Sequence, residues 1–469
     1  MTTLGSGSGL YDVLVVGGGN AALCAALTAR HHVPRVALIE RAPETLRGGN
    51  TRHTRNIRHA HDDADSYVTG SYDLDELWRD LVKVSGSEIN EELGRLTISG
   101  SRSCPAFMEG HGVRWQAPLR GTLHLARTNR FFLGGGKALV NAYYHTATSM
   151  GIDIRYDATV VATAFDGDLC TGVVIDTPDG QQAIEARAVI VAAGGFEANI
   201  DWLRQYWGDA ARNFIIRGGP FNDGSVLRNL LDAGARSVGD PKGFHAVAVD
   251  ARAPKFDGGI VTRIDSIPFG IVVNAAGVRF ADEGEDLWPR RYASWGRLIA
   301  EQPDQSGCSI FDSKTKGKFI PGAFPAIVAP TIRELAQRMG LPSDRVEATV
   351  QEYNFSLQQT GEADFSILDG QGTTGLALPK SNWAQPIDSP PYYGYPLRPG
   401  ITFTYLGVAV DSTGRVRSAD GGTFRNLFAA GEIMAGNVLT KGYLAGIGLT
   451  IGTVFGRLAG QSAAKLTAA

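Results

Sequence analysis

Near its start the chain reads Tyr11-Asp12-Val13-Leu14-Val15-Val16 and runs directly into Gly17-Gly18-Gly19-Asn20-Ala21-Ala22. No other stretch limits the fold so tightly. Asp12–Val16 is almost uninterruptedly apolar, which predicts a strand buried on both faces of a parallel sheet. A small-residue helix is expected from Ala21 to about Arg30, then a second strand, Arg35–Ile39, ending at Glu40. This is one βαβ unit carrying Gly-x-Gly-x-x-Ala at its first turn. Gly17 makes the tight turn and Gly19 lets backbone approach a pyrophosphate. Ala22, Ala25, Ala26 and Ala29 let the helix lie close to the sheet. The helix start, at Asn20 and Ala21, offers free N–H groups and partial positive charge to phosphates. Glu40, with Arg41 beside it, stands where an acid takes the ribose hydroxyls. A plain glycine turn leaves Glu40 unexplained.

The rest of the chain points to FAD, held without a covalent bond. There is one such fingerprint, and no CxxxxC of a disulfide reductase. Further glycine-rich segments follow instead: Gly48-Gly49-Asn50-Thr51, Ala193-Gly194-Gly195-Phe196 and Ala429-Ala430-Gly431-Glu432. A long cofactor needs several loops along its length, and Val160 opens a further expected contact segment. Glu432 can accept hydrogen bonds from ribityl hydroxyls. Gly442-Tyr443-Leu444-Ala445-Gly446-Ile447-Gly448 opens the last helix, where N–H groups and dipole can face the flavin N1/C2=O edge. It also reads as an ordinary glycine-rich helix start.

Fifty-nine glycines in 469 residues sit in many separate turns, because no repeat or low-complexity tract absorbs them. A net charge of −3 gives no support to nucleic-acid binding. Cys24, Cys104, Cys170 and Cys308 are scattered, which argues against a zinc ribbon, a cysteine-ligated cluster or a disulfide scaffold and suits the cytoplasm. No metal site is expected. Residues 1–10 read as a flexible lead-in rather than a signal peptide. The most apolar helix candidate, Ala445–Ala459, is interrupted by Gly446, Gly448, Gly452 and Gly456, so a spanning helix is not expected; attachment to a membrane partner stays open.

The expected class is α/β with an α+β cap. A Rossmann-like FAD domain is built from 11–240 and 386–469, and a capping domain is inserted at 241–385. Within the FAD domain, a helix (Ala138–Met150), a strand (Asp153–Tyr156), a β-meander (160–184) and a separate buried strand (Ala188–Ala192) are expected. Thr331 and Glu334 form a capping-box pattern in the cap.

These segments together resemble one family. YDVLVVGGGNAALCAALTAR (11–30), RGGNTRHTRN (47–56), AGGFEAN (193–199), GVRFADEGED (277–286), ITFTYLGVAV (401–410) and the run from Leu427 to Arg457 resemble the fumarate reductase/succinate dehydrogenase flavoprotein superfamily. The tricarballylate dehydrogenase branch is the most similar; soluble fumarate reductases and 3-ketosteroid dehydrogenases are more distant. The resemblance implies oxidation of a CH–CH bond next to a carbonyl or carboxylate, at the junction of FAD domain and cap. It also implies a membrane-associated electron-transfer partner; a quinone or oxygen is the alternative exit. His245 matches the substrate-site histidine. The position of the proton-transferring arginine is Leu287, with Arg290 and Arg291 nearest. The second substrate histidine is replaced within Thr402-Phe403-Thr404-Tyr405, and the carboxylate-clamping arginine by Tyr443. His53 follows the glycine pair, so the covalent histidine link lacks its position.

His245, Arg290, Arg291, Tyr405 and Tyr443 are therefore the catalytic candidates. Arginine is a good carboxylate anchor but a poor base. A tyrosine serves as acid or base if a neighbouring cation lowers its pKa. Each has a structural alternative: a satisfied core histidine, a surface arginine pair. The basic stretch Arg47–His61, with Arg52, Arg55 and Arg58, either meets the pyrophosphate or an anionic substrate, or is a solvated loop paired with Asp62, Asp63 and Asp65. Three functions compete: a dehydrogenase of a carboxylate or ketone, tricarballylate-like polycarboxylates first; an enoate- or ketosteroid-type enzyme with an apolar substrate; and an FAD-binding redox sensor. A cationic cap lining favours the first, and an aromatic slot the second. Oligomeric state is not legible.

Overall fold

The structure, a computed structural model, describes residues 9–86, 88–118, 124–358 and 361–468. Most of the expected lead-in, residues 1–8, lies outside them. The first unit forms as expected: strand β1 (Tyr11–Val16), helix α1 (Asn20–Arg30) and strand β2 (Val36–Ile39). β1 and β2 run parallel, Val13 opposite Val36. Asp153–Arg155 extends the sheet beyond β2, and Thr423–Ala429 and Arg415–Arg417 complete its other edge.

One expected boundary is absent. Gly180–Val191 is a single strand, not the end of a meander followed by a separate strand. Its first half pairs antiparallel with Leu169–Thr177, and its second half lies parallel to β1. Burial alternates from Ala183 to Glu185 and becomes continuous from Ala188, so one strand leaves a solvated hairpin and enters the doubly covered sheet. The expected helix at Ala138 begins three residues earlier, at Gly135, the residue after an N-cap Gly134 in the left-handed region.

The closing helix, Ile447–Ala468, is continuous. Its glycines do not break it; they form a flat stripe against α1. A Cβ on Gly456 would sit 2.4 Å from the Ala21 carbonyl oxygen, and one on Gly460 2.4 Å from that of Ala25. Among the described residues no helix is long and apolar enough to cross a membrane.

A second, six-stranded sheet builds the cap around Tyr392–Thr404. Phe244–Asp250, Gly307–Asp312 and Ile327–Ala329 pair antiparallel with that strand, and Ile271–Asn274 adds outside Gly307–Asp312. Ile215–Ile216 joins it in parallel. The sheet thus reaches beyond both 241 and 385, because its central strand comes from the segment just before the chain returns to the first sheet. Thr331 caps the helix Ile332–Arg338 by accepting the Glu334 N–H at 3.1 Å, while Glu334 itself pairs with Arg338.

Candidate active site

Between the two sheets lies a cleft of about 1590 Å³, its open mouth included. Its lining runs from the Gly17–Ala21 turn of the first sheet to His245 and Phe403 of the second. Of the expected cofactor contacts, Gly17, Gly19, Asn20, Ala21, Glu40, Arg41, Gly49, Asn50, Thr51, Val160, Ala193, Gly194, Gly431, Glu432, Ala445 and Gly446 line it. The carboxyl ends of β1 and β2 and the start of α1 bring the first group together, as a parallel sheet does at its ligand edge.

Three expected contacts stand behind the lining. Gly48, left-handed at φ 102°, gives its N–H to Glu40 at 3.2 Å. Leu444 and Ile447 are buried in the core, where the Ile447 N–H bonds the Leu444 carbonyl. Sequence reasoning missed Asn222 and Leu449, which also line the cleft.

The backbone is shaped for a close-lying anion. Gly17, at φ 112°, has no room for a side chain: a Cβ would sit 2.3 Å from the Ala192 carbonyl oxygen. Gly19 differs, since its nearest neighbour would be Thr51 Oγ1 at 3.4 Å. It caps α1 without a side chain and leaves the helix start open to the cleft. Asn50 lines the cleft with a buried Oδ1 that has no partner in the protein. Burial raises the Glu40 pKa, opposed by the Ala42 and Gly48 N–H groups it accepts. These residues fit the adenosine and diphosphate half of FAD. Glu432 is turned toward Thr404, whose N–H it accepts at 2.8 Å, and toward Glu197. Burial and then the Glu197 charge push its pKa well up, favouring the protonated form.

The substrate-side candidates divide. His245, from Phe244–Asp250, and Tyr443 both line the cleft, rings stacked 3.7 Å apart and 4° from parallel. Burial, with Arg217 and Arg263 adding to it, lowers the His245 pKa well below the usual range, so the imidazole is neutral. Arg290, Arg291 and Tyr405 do not line the cleft. Arg290 is tied to Asp286 at 2.5 Å and Asp80 at 3.0 Å, and Arg291 to Glu285 at 2.6 Å. Tyr405 is fully buried past the end of its strand and donates to the Gly442 carbonyl at 2.8 Å. Burial raises the pKa of Tyr443 and Tyr405 alike, and the charges of Arg217 near the first and Arg297 near the second offset only part of it.

In place of the arginine pair the cleft is lined by two others, with a third beside them. Arg217 and Arg263 line it, and Arg55 stands against them from the basic loop. Asp265 is the carboxylate that faces the set, 2.6 Å from Arg263 and 3.9 Å from Arg55. Arg217 holds Thr402 Oγ1 at 2.9 Å. Burial and the Arg263 charge bring Arg55 down to about 9 and Arg217 to about 10, while burial of Arg263 is outweighed by Asp265. Arg55 keeps Nε and Nη2 without hydrogen-bond partners. Tyr292 completes the group, its ring centre 4.9 Å from the Arg263 guanidinium carbon. Only Arg55 lay in a segment the sequence flags; Arg217 and Arg263 sit in no motif.

Residues 12–449 match the model of the family described as FAD binding domain. The chain belongs to that family. As a member it is an FAD-dependent flavoprotein, and its relatives place it in the fumarate reductase/succinate dehydrogenase superfamily of oxidoreductases. It is 27% identical to the NADH:fumarate oxidoreductase of Klebsiella pneumoniae over 97% of its length but only 48% of that protein's. It is equally similar, 27%, to the probable fumarate reductase Ifc3 of Shewanella frigidimarina, again over 97% of its length and 75% of the relative's. In structure, this FAD binding domain protein has the fold of the open conformation of a flavocytochrome c3 fumarate reductase. There the TM-score is 0.76 at 23% identity, covering 98% of this chain and 79% of that one.

Proposed function

We propose that the protein is an FAD-dependent oxidoreductase exchanging a hydride at a CH–CH or C=C bond next to a carboxylate. One observation carries this reading: Arg217 and Arg263, buried guanidiniums in the lining of the cleft that fits the nucleotide, and half-buried Arg55 beside them share one facing acid, Asp265. An unmatched set of arginines in a desolvated site is stabilised by an anionic ligand, and guanidiniums grip carboxylates bidentately. FAD, held non-covalently, supplies the hydride-exchanging ring. The chain's own groups bind the carboxylate, exclude water and hold the proton; we assign that proton to Tyr292 Oη, whose ring lines the cleft 4.9 Å from the Arg263 guanidinium carbon; burial raises its pKa, and Arg263 and Arg217 offset part of the rise. His245, neutral, offers a polar ring whose buried Nδ1 has no partner in the protein. A separate protein or a quinone exchanges electrons with the flavin.

Polycarboxylates of the tricarballylate type are the first substrates to try, because the cations outnumber the acid. A ring ketone is the second reading, favoured by Phe403 and Tyr443 in the lining. Anaerobic mixing of the FAD-loaded protein with polycarboxylates, cyclic ketones and steroids decides between them by flavin bleaching. Bleaching by a neutral ketone and by no carboxylate defeats the leading reading. Bound flavin that no compound reduces returns the chain to a redox-sensing role.

A further inference from the structure

The wall facing the substrate space is made of rings as well as cations. His245 and Tyr443 stack face to face. Phe403 meets Tyr443 with centroids 5.7 Å apart and planes at 60°, and Tyr292 meets His245 at 5.7 Å and 74°. The polar atoms of this wall carry no positive charge. Tyr443 Oη accepts the Gly448 N–H at 3.0 Å, and the His245 imidazole is neutral. A carboxylate pressed against Phe403 and Tyr443 would lose its water without gaining a counter-charge. A flat ring placed there gains buried area and edge or face contacts.

We propose that the substrate is a monocarboxylate bearing a flat, unsaturated ring, its carboxylate on Arg217 and Arg263, with Arg55 beside them, and its ring against Tyr443 and Phe403. The inference rests on the reading above that the cleft takes a carboxylate, and replaces the polycarboxylate named there with one carboxylate and a ring. Tyr443 and Phe403 become the residues that set specificity.

The test is binding to the FAD-loaded protein, by calorimetry and by the shift in flavin absorbance, with four probes. trans-Cinnamate has ring and carboxylate, cinnamamide the ring alone, crotonate one carboxylate without a ring, and fumarate two carboxylates. Cinnamate is expected to bind about tenfold or more tighter than each of the other three, over crotonate and fumarate by burying one ring and over cinnamamide by the pairing of its carboxylate with the arginines. Tyr443→Ala and Phe403→Ala are each expected to weaken cinnamate about 5- to 20-fold and crotonate less than about twofold. Fumarate binding as tightly as cinnamate overturns the proposal, on the unaltered protein and without any variant. So does an equal loss of cinnamate and crotonate in the ring variants. Absence of binding by all three carboxylates overturns the carboxylate reading itself, and with it the proposal.

Discussion

Replacing Gly19 by alanine separates cofactor affinity from folding. Gly19 adopts φ −80° and ψ −176°, extended backbone open to any residue. The added methyl meets nothing in the protein nearer than Thr51 Oγ1 at 3.4 Å. Reduced freedom of the unfolded chain stabilises such a variant by about 0.4–1 kcal/mol. The poorer N-cap offsets roughly 0.5 kcal/mol of that, so apo stability should stay within about 0.5 kcal/mol of the parent. The methyl does project toward the diphosphate position at the start of α1. Forcing one methyl into a close-packed contact costs about 1–3 kcal/mol, which is roughly 5- to 150-fold in Kd. Thermal melts of the apoprotein and FAD titration by flavin fluorescence read the two quantities separately. Gly17→Ala is the contrast: its methyl strikes backbone at 2.3 Å from φ 112°, so that apoprotein should itself be destabilised. An unchanged FAD affinity in Gly19→Ala, or an apo melt lowered as far as in Gly17→Ala, would refute the placement of the diphosphate.

Arg263→Gln leaves Asp265 buried without its 2.6 Å partner and should destabilise the fold by about 3–5 kcal/mol in urea denaturation, with Asp265→Asn in the same chain restoring part of it. His59, held by burial at about 3 against an ordinary 6.5, stays neutral in the fold while the unfolded chain takes up a proton. Stability is therefore expected to fall as pH drops from about 6.5 toward 3, and His59→Gln should flatten that limb of a pH series of melts. Thr331→Ala removes the side chain that accepts the Glu334 N–H and should cost about 1 kcal/mol with no change in FAD affinity.

The nucleotide half was legible because its signals are local. An apolar strand, Gly17, Gly19 and Glu40 each impose a conformation or a contact within thirty residues of chain, and β1–α1–β2 forms where those residues place it. The substrate half depends on long-range assembly. Arg55, Arg217 and Arg263 come from a loop, the end of a two-residue strand and a turn, and nothing near any of them marks it as one of a set. Arg290 and Arg291 lie at the expected place in the chain, yet Asp286, Asp80 and Glu285 draw their guanidiniums away from the cleft. Phe403 and Tyr405 read alike in sequence, but the strand ends at Thr404, so one ring lines the cleft and the other is carried past it. The glycines of the closing helix read as breaks because sequence shows the lost propensity and not the α1 carbonyls that a Cβ at Gly456 or Gly460 would meet at 2.4 Å.

Arg58 is fully buried and joins parts of the molecule that other contacts keep separate. Its Nε holds the Ala445 carbonyl at 2.9 Å, in the loop that opens the closing helix. Its Nη1 holds Tyr72 Oη at 2.6 Å and lies 3.7 Å from Asp80, the acid that also binds Arg290 of the cap. Any motion that parted Arg290 from Asp80 would change the charge balance around the guanidinium that steadies Ala445. One carboxylate thus joins the helix of Arg290 to the loop that opens the closing helix.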